Sequence, residues 1–367
     1  MSLTGLIENR IKRRTGMLAG GLMTLTLGIS SWLVLSERGD ISFYGVSVED
    51  AAPYDSAWQR VSANFALDHH SDNPRVQRWI SWYQAHPAMF ADYAKQAAPW
   101  MHYVSREVEK RGLPGELALL PFIESGYNPL ARSPKGPTGL WQLASATADD
   151  LGLRNALGYA ARQDVKASTA AALDYLELLQ RQWYQGDWES TLAAYNAGPG
   201  RVNLARVESG TNSFWKTRLP QETRNYVPKL LALATIVSDP ERYGIELPHI
   251  DDVPSVVEVS LDHSLDVASA AKLAGVAPAE IRRLNPAYVG NWVDDSLLIP
   301  SDAEQRFKEQ LATLRSGDQQ LEYVVAQGDT LSVISHHSGI SVKRIQHDNK
   351  LKDEPLKTGQ TLLLAGT

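Results

Sequence analysis

No cysteine occurs anywhere in the 367 residues. That excludes disulfides, thiolate nucleophiles, Cys-held zinc and a lipid-modified N-terminal cysteine. It does not fix the compartment, although a chain without thiols suits an oxidising one. A basic excess is also lacking: 36 Lys and Arg face 42 Asp and Glu, a net charge of −6. That argues against a nucleic-acid partner. HExxH-type spacing is missing as well. The adjacent pairs His69–His70 and His336–His337 do not share a helix face and read as surface histidines, so no metal and no other cofactor is expected. Between residues 73 and 240 almost nothing alternates with period two, which leaves an α domain there.

What is present is globular: 43% hydrophobic and 21% charged residues, on a chain long enough for two or three domains. Arg10, Lys12, Arg13 and Arg14 precede an uncharged run at residues 17–36. About nineteen residues of helix reach roughly 28 Å, close to a bilayer core. The basic flank predicts a cytoplasmic N-terminus, with the body outside. Residues 1–36 are therefore expected to be a membrane anchor, the alternative being a cleaved signal peptide and a soluble periplasmic product. "LVLSERGD" holds no A-x-A-like cleavage site.

Residues 37–97 read as a polar stem followed by N-terminal helices, with Asn73 as a cap and Pro74 in a first turn. Further helices are predicted at "PWMHYVSREVEKRG", closed by Gly112, at "GELALLPFIES", and over a long run capped by Asp164. The α domain extends over 98–245. "GIELPHIDDVPS", with Pro248 and Pro254, reads as a linker. Residues 255–301 and 321–365 then repeat one order of strand, two short helices and strand, with a charged linker helix at 302–320. Gly275 and Asn285 are ten residues apart, as are Gly339 and Asn349, which marks two copies of one unit.

Three stretches carry candidate chemistry. In "ALLPFIESGYNPL" a single carboxylate, Glu124, interrupts an apolar segment. On a helix over 115–125 it shares a face with Leu117 and Leu120 and lies near the C-terminus. Desolvation and the helix dipole both raise a carboxylate there, which suits a general acid. "GPTGLWQL" sets Gly136 and Gly139 before Trp141 and Gln142: glycine permits close approach, and an amide can both donate and accept. "AAYNAGPGRV" ends a helix with Tyr195 and Asn196. Tyr195 can bond a carboxylate or a substrate, or simply be a buried aromatic. Asp149, Asp150, Asp164 and Asp187 read as helix-start or loop residues rather than as a second acid. Of seven tryptophans in the α domain, most are expected in the core, with Trp141 singled out for its place in the motif.

Taken together, Glu124–Ser125, then Gly-Leu-Trp-Gln, then Ala-Tyr-Asn resemble the lytic transglycosylases of the soluble-transglycosylase, goose-lysozyme-like group. The resemblance covers roughly 98–240. It implies a mainly α lysozyme-like catalytic domain followed by small βααβ LysM-type modules. It also implies an enzyme that cuts peptidoglycan between N-acetylmuramic acid and N-acetylglucosamine without water, leaving 1,6-anhydro ends. By that resemblance Glu124 is the single acid/base. Ser125, Ser133, Gly139, Trp141, Gln142, Tyr195 and Asn196 meet the substrate. "ETRNYVPK" resembles the family's last motif and would set Tyr226 beside Glu124.

The C-terminal copy resembles LysM, with Gly328, Asp329, Thr330, Leu331 and Asn349 expected to bind N-acetylglucosamine-containing glycan. The 255–301 copy lacks "GDT" and reads as degenerate. The expected partners are glycan strands and, through residues 17–36, a membrane, which implies a periplasmic body. A lysozyme-type hydrolase and a non-catalytic wall-binding scaffold are the alternative functions.

Overall fold

The computed structural model describes residues 54–156, 158–315, 320–351 and 355–365. The basic flank and the apolar run at 17–36 lie outside the described residues. Within them, no helix is long and apolar enough to cross a membrane.

The expected stem contains a helix. Ser56 caps α1 (Ala57–Ala63), which buries Trp58, Arg60 and Val61. Seven residues are too few to show a helical period in the sequence. Asn73 then accepts from Arg75 N and Pro74 opens α2 (Pro74–Ala85), as the sequence indicates. α3 (Met89–Ala97) and α4 (Met101–Lys110) follow, and Gly112 leaves α4 at φ 62°. The third predicted helix is two pieces: a 3-10 stretch, Gly115–Leu119, and a single turn, α5 (Leu120–Glu124). Leu117 and Leu120 are fully buried, while Glu124, the last residue of α5, keeps some exposure.

α6 (Ser145–Asp150) precedes α7 (Val165–Leu178), which Asp164 caps through Ala167 N and which continues as a π turn over Leu179–Tyr184. Asp187 caps α8 (Trp188–Ala197), and α9 (Pro199–Ser209) and α10 (Gln221–Ser238) complete the α domain. α10 packs on α2 and α8. Its Val227, Leu230, Leu233 and Ile236 are all fully buried. Each such side chain contributes about 1.5–3 kcal/mol, which anchors the wall that carries Tyr226.

The expected linker at 244–255 is pinned to this domain. Trp58 Nε1 donates to Pro248 O at 2.9 Å, and Ala57 N donates to Ile250 O at 2.9 Å. Arg60 donates to Asp252 at 2.6 Å and to Glu109 at 2.8 Å. Its two prolines mark an extended path over a surface rather than a free hinge.

Beyond it come β1 (Val256–Ser260), β2 (Leu265–Asp266), α11 (Val267–Ala274), α12 (Pro278–Leu284), β3 (Trp292–Val293) and β4 (Ser296–Pro300). β1 pairs antiparallel with β4, and a second small ladder, β2 with β3, adds to the predicted order. α13 (Glu304–Arg315) buries Phe307 and Leu314 and packs on α11, so it is part of a core rather than a spacer. The last unit is β5 (Gln320–Val324), α14 (Leu331–Ser338), α15 (Val342–Asp348) and β6 (Thr361–Ala365), with β5 antiparallel to β6.

The ten-residue spacing has a physical origin. Gly275 and Gly339 each end a first helix in the left-handed region, at φ 73° and 70°. Asn285 and Asn349 each tie the end of the second helix to the last strand. Asn285 donates to Ile281 O and Leu298 O and accepts from Leu298 N. Asn349 donates to Ile345 O and Leu363 O and accepts from Leu363 N. One apolar core runs through both units and α13.

Candidate active site

α5, the loop after it, the end of α8 and the first half of α10 enclose a cleft of about 670 Å³. Glu124, Ser133, Gln142, Tyr195, Asn196 and Tyr226 all line it, together with Ser125. Tyr226 OH donates to Glu124 Oε1 at 2.5 Å. Loss of solvating water around the charged form raises the Glu124 carboxyl from 4.5 to about 7. The Tyr226 hydrogen bond and the Lys229 charge oppose that rise, while the charge of Glu222 adds to it. Burial, followed by the nearby Glu124 charge, pushes both Tyr195 and Tyr226 well above the usual phenol range, so they remain donors.

The other motif residues divide by what their polar atoms already do. Tyr195 OH donates to Trp141 O at 2.8 Å, so it braces the loop rather than bonding Glu124. Ser125 Oγ donates to Leu140 O at 2.7 Å. Ser133 Oγ accepts from Lys135 N at 3.2 Å. Gln142 stands in the left-handed region at φ 47°, with its amide nitrogen on Gly139 O at 2.8 Å and on Ala131 O at 3.2 Å. These bonds join 125, 131–142 and 195 into one braced rim.

Three expectations need correction. Trp141 is 0% exposed and donates Nε1–H to Thr169 Oγ1 at 2.9 Å, so no sugar can stack on it. Gly139 does not line the cleft: an added Cβ would lie 1.8 Å from Arg162 O, which makes it a contact point of the scaffold. The tryptophan default fails as well. Of the seven, Trp100 and Trp141 are buried, Trp82 and Trp183 are exposed, and Trp79 faces the cleft.

Sequence reasoning missed Lys229, Arg132 and Glu222, all in the cleft wall. Lys229 was within reach. It follows Tyr226 by three residues on a helix, hence on the same face. Burial lowers its ammonium and the charge of Glu124 opposes that. Its Nζ sits 5.6 Å from the centre of the Trp79 ring. Glu222 is largely exposed and pairs with Lys135 at 2.9 Å.

The histidine pairs are more engaged than surface residues would be. His69 meets buried Glu116 at 3.0 Å, His70 meets Glu189 at 2.5 Å, and His337 stacks on Trp292. Among the described residues no group of three or more His, Asp or Glu is placed to hold a metal ion.

In the C-terminal unit the "GDTL" residues build their own turn. Gly328 stands at φ 91°, Asp329 accepts from Ala326 N at 2.7 Å and from Tyr323 OH, and Thr330 caps α14. Leu331 packs against the shared core. With Asn349 holding β6, these residues shape the turn and its neighbouring helix and strand, while Thr330 stays exposed.

Three families match the chain. Residues 103–217 match the transglycosylase SLT domain, 255–316 the LysM-like domain of lytic transglycosylase MltD, and 323–365 the LysM domain. Membrane-bound lytic murein transglycosylase D of Escherichia coli (strain K12) is 35% identical over 313 residues, 80% of this chain and 69% of that protein. Membrane-bound lytic murein transglycosylase F of Serratia proteamaculans (strain 568) is 33% identical over 133 residues, 31% of this chain and 25% of that one. Among solved structures, lytic transglycosylase Slt from Pseudomonas aeruginosa matches at 27% identity and a TM-score of 0.31, over 41% of this chain and 26% of that one.

Proposed function

The chain belongs to the membrane-bound lytic murein transglycosylase D family, and from that premise we propose that it cleaves the N-acetylmuramic acid–N-acetylglucosamine bond of peptidoglycan with Glu124 as its only acid/base. The observation that carries this reading is a carboxyl held near neutrality on a cleft wall and bonded to Tyr226. Such a group is protonated often enough to act as an acid, and its conjugate base is strong enough to take a proton back.

Glu124 gives its proton to the glycosidic oxygen as the bond to C1 breaks. The N-acetyl group of the same muramic acid stabilises the positive charge at C1. The Glu124 carboxylate then removes the proton of the C6 hydroxyl, whose oxygen closes on C1. The products are a free hydroxyl on the departing sugar and a 1,6-anhydro ring, and Glu124 ends protonated, as it began. No water is consumed. A hydrolase on the same site would need a positioned water in place of the C6 hydroxyl; among the described residues lining the cleft the second carboxylate is Glu222, exposed and paired with Lys135.

The working division is a transglycosylase domain over 98–245 and LysM-type modules over 255–301 and 321–365. LysM keeps the enzyme on the glycan and raises the local substrate concentration. The relatives' membrane-bound names and the apolar run at 17–36 support an anchored, periplasmic body.

The test is mass spectrometry of purified peptidoglycan digested by this protein. Products lighter by one water than hydrolytic muropeptides are expected. Reducing muramic ends would move the assignment to a hydrolase, and no release beside a working control would favour a binding scaffold.

The pH profile adds a second test. Free enzyme must hold a proton on Glu124, so kcat/KM should stay level below about pH 7 and drop about tenfold per unit above it. The Lys229 charge lowers the Glu124 pKa, so Lys229→Met should move that alkaline limb upward. A limb that stays put or moves down would refute the pairing.

A further inference from the structure

We propose that the 255–301 module is a positioning element for the active-site rim: through Gln163 and the strip 158–160 it holds the loop that carries Arg132 and Gln142. This rests on the transglycosylase reading above. Nothing in that reading requires the module to touch the catalytic domain, and its degenerate turn leaves it without an evident role of its own.

The contact is specific. Ala160 N donates to Ala287 O at 2.7 Å, and Val289 N donates to Gly158 O at 2.9 Å. Tyr159 and Tyr288 form the bridge between them, with ring centres 5.4 Å apart edge to face. Tyr288 OH is itself held by Asp294 O at 2.5 Å, so its ring is fixed from the module side. Tyr159 OH is held by Asp164 at 2.6 Å, the cap of α7, so the other ring is fixed from the catalytic side. Lys166 pairs with Glu258 at the same face.

From this strip three connections run to the cleft. Gln163 is 3% exposed. With its amide oriented to satisfy both neighbours, its nitrogen meets Pro286 O of the module at 3.0 Å. Its oxygen then meets Arg132 Nη2, on the cleft wall, at 3.2 Å. Arg162 Nη1 donates to Gly136 O at 3.0 Å and to Leu143 O at 3.1 Å, so it clasps both ends of the glycine loop. The carbonyl of Arg162 is the surface on which Gly139 rests. Gly139 O in turn accepts the Gln142 amide. A shift of the module is therefore a shift of 160–163, and that is a shift of Arg132, Gly139 and Gln142. A displacement of about 1 Å at a substrate-positioning group can cost up to about 10²-fold in rate.

The test uses the full chain and three variants: Gln163→Leu, Tyr288→Ala and the double. Tyr288 lies in the module and away from the cleft. Each single variant should lower kcat on purified peptidoglycan about tenfold, change KM by less than about twofold, and leave retention on insoluble peptidoglycan unchanged. The double should be no slower than the slower single, because both act through one path. Wild-type kcat in both singles would overturn the inference. So would multiplicative losses that simply follow falling melting temperatures, the mark of general destabilisation. Wild type and Glu124→Gln run alongside. An inactive wild type would remove the transglycosylase reading and this inference with it. An active wild type with unaffected singles would remove this inference alone.

Discussion

Glu124→Gln should leave a folded protein with peptidoglycan-cleaving activity reduced at least about 10³-fold. Loss of one general acid or base costs about 10²–10⁴-fold, and in the proposed reaction the same oxygen pair serves both halves. Gln keeps an oxygen to accept the Tyr226 hydroxyl, now at 2.5 Å from the carboxylate, so the local geometry survives. Stability should move the other way. The folded pKa of about 7 lies above the ordinary value of 4.5. The favourable contribution of the neutral acid is therefore complete below about pH 4.5 and is lost as pH rises through about 7. Above that, wild type carries a cost of at most roughly 3 kcal/mol, reduced by whatever water in the cleft recovers. The Gln variant carries none. It should melt above wild type at pH 8, with the gap closing towards pH 4. Retained activity, or a lower melting point at pH 8, would remove Glu124 from the role proposed.

The nearness of Glu124 and Tyr226, 102 residues apart, came only through the resemblance of "ETRNYVPK" to the family's last motif, whereas the helix starts at Asn73, Asp164 and Asp187 were legible in the residues themselves, because caps are local. Asn73, Asp164 and Asp187 each bond a backbone N–H two or three residues on, and nothing distant is needed to see it. The repeat was legible for the same reason: Asn285 and Asn349 serve helix and strand at one spacing in both copies. What failed was whatever depends on a partner far away in the chain. Trp141 carries the right motif position, but Thr169, 28 residues on, holds its ring in the core. The linker at 244–255 was legible, but its seat on the catalytic domain was not, because its partners, Ala57, Trp58 and Arg60, lie roughly 190 residues earlier. α1 itself was missed because it is short and its buried face is completed by that same segment. Lys229 had a local signal, i+3 from Tyr226, but its meaning depends on Glu124 being opposite, which α5 supplies from about a hundred residues before.

Gly139→Ala should be the most damaging change to the scaffold of the site, and Gly136→Ala is its control. Both glycines have left-handed φ, 88° at Gly139 and 104° at Gly136, so both variants meet the strain of an L side chain there, about 1–2 kcal/mol. They differ in what surrounds them. A Cβ at 136 meets nothing within 4 Å, whereas a Cβ at 139 would lie 1.8 Å from Arg162 O. That neighbour is backbone and cannot swing aside as a side-chain tip could. Either the 131–143 loop or the 160–163 strip must move. Gly139 N donates to Ala131 O at 2.9 Å, and Gly139 O accepts from Gln142 at both N and Nε2. Moving the loop therefore misplaces Gln142 and the 131–133 rim; moving the strip disturbs Gln163, Arg132 and the seat of the module. By either route kcat should fall by about 10²-fold and stability by about 3 kcal/mol or more beyond the control. Melting curves and turnover of the two variants, measured together, separate close approach from simple backbone strain. If Gly139→Ala proved as stable and as active as Gly136→Ala, the loop would be free of the strip, and the physical link between module and cleft would be gone.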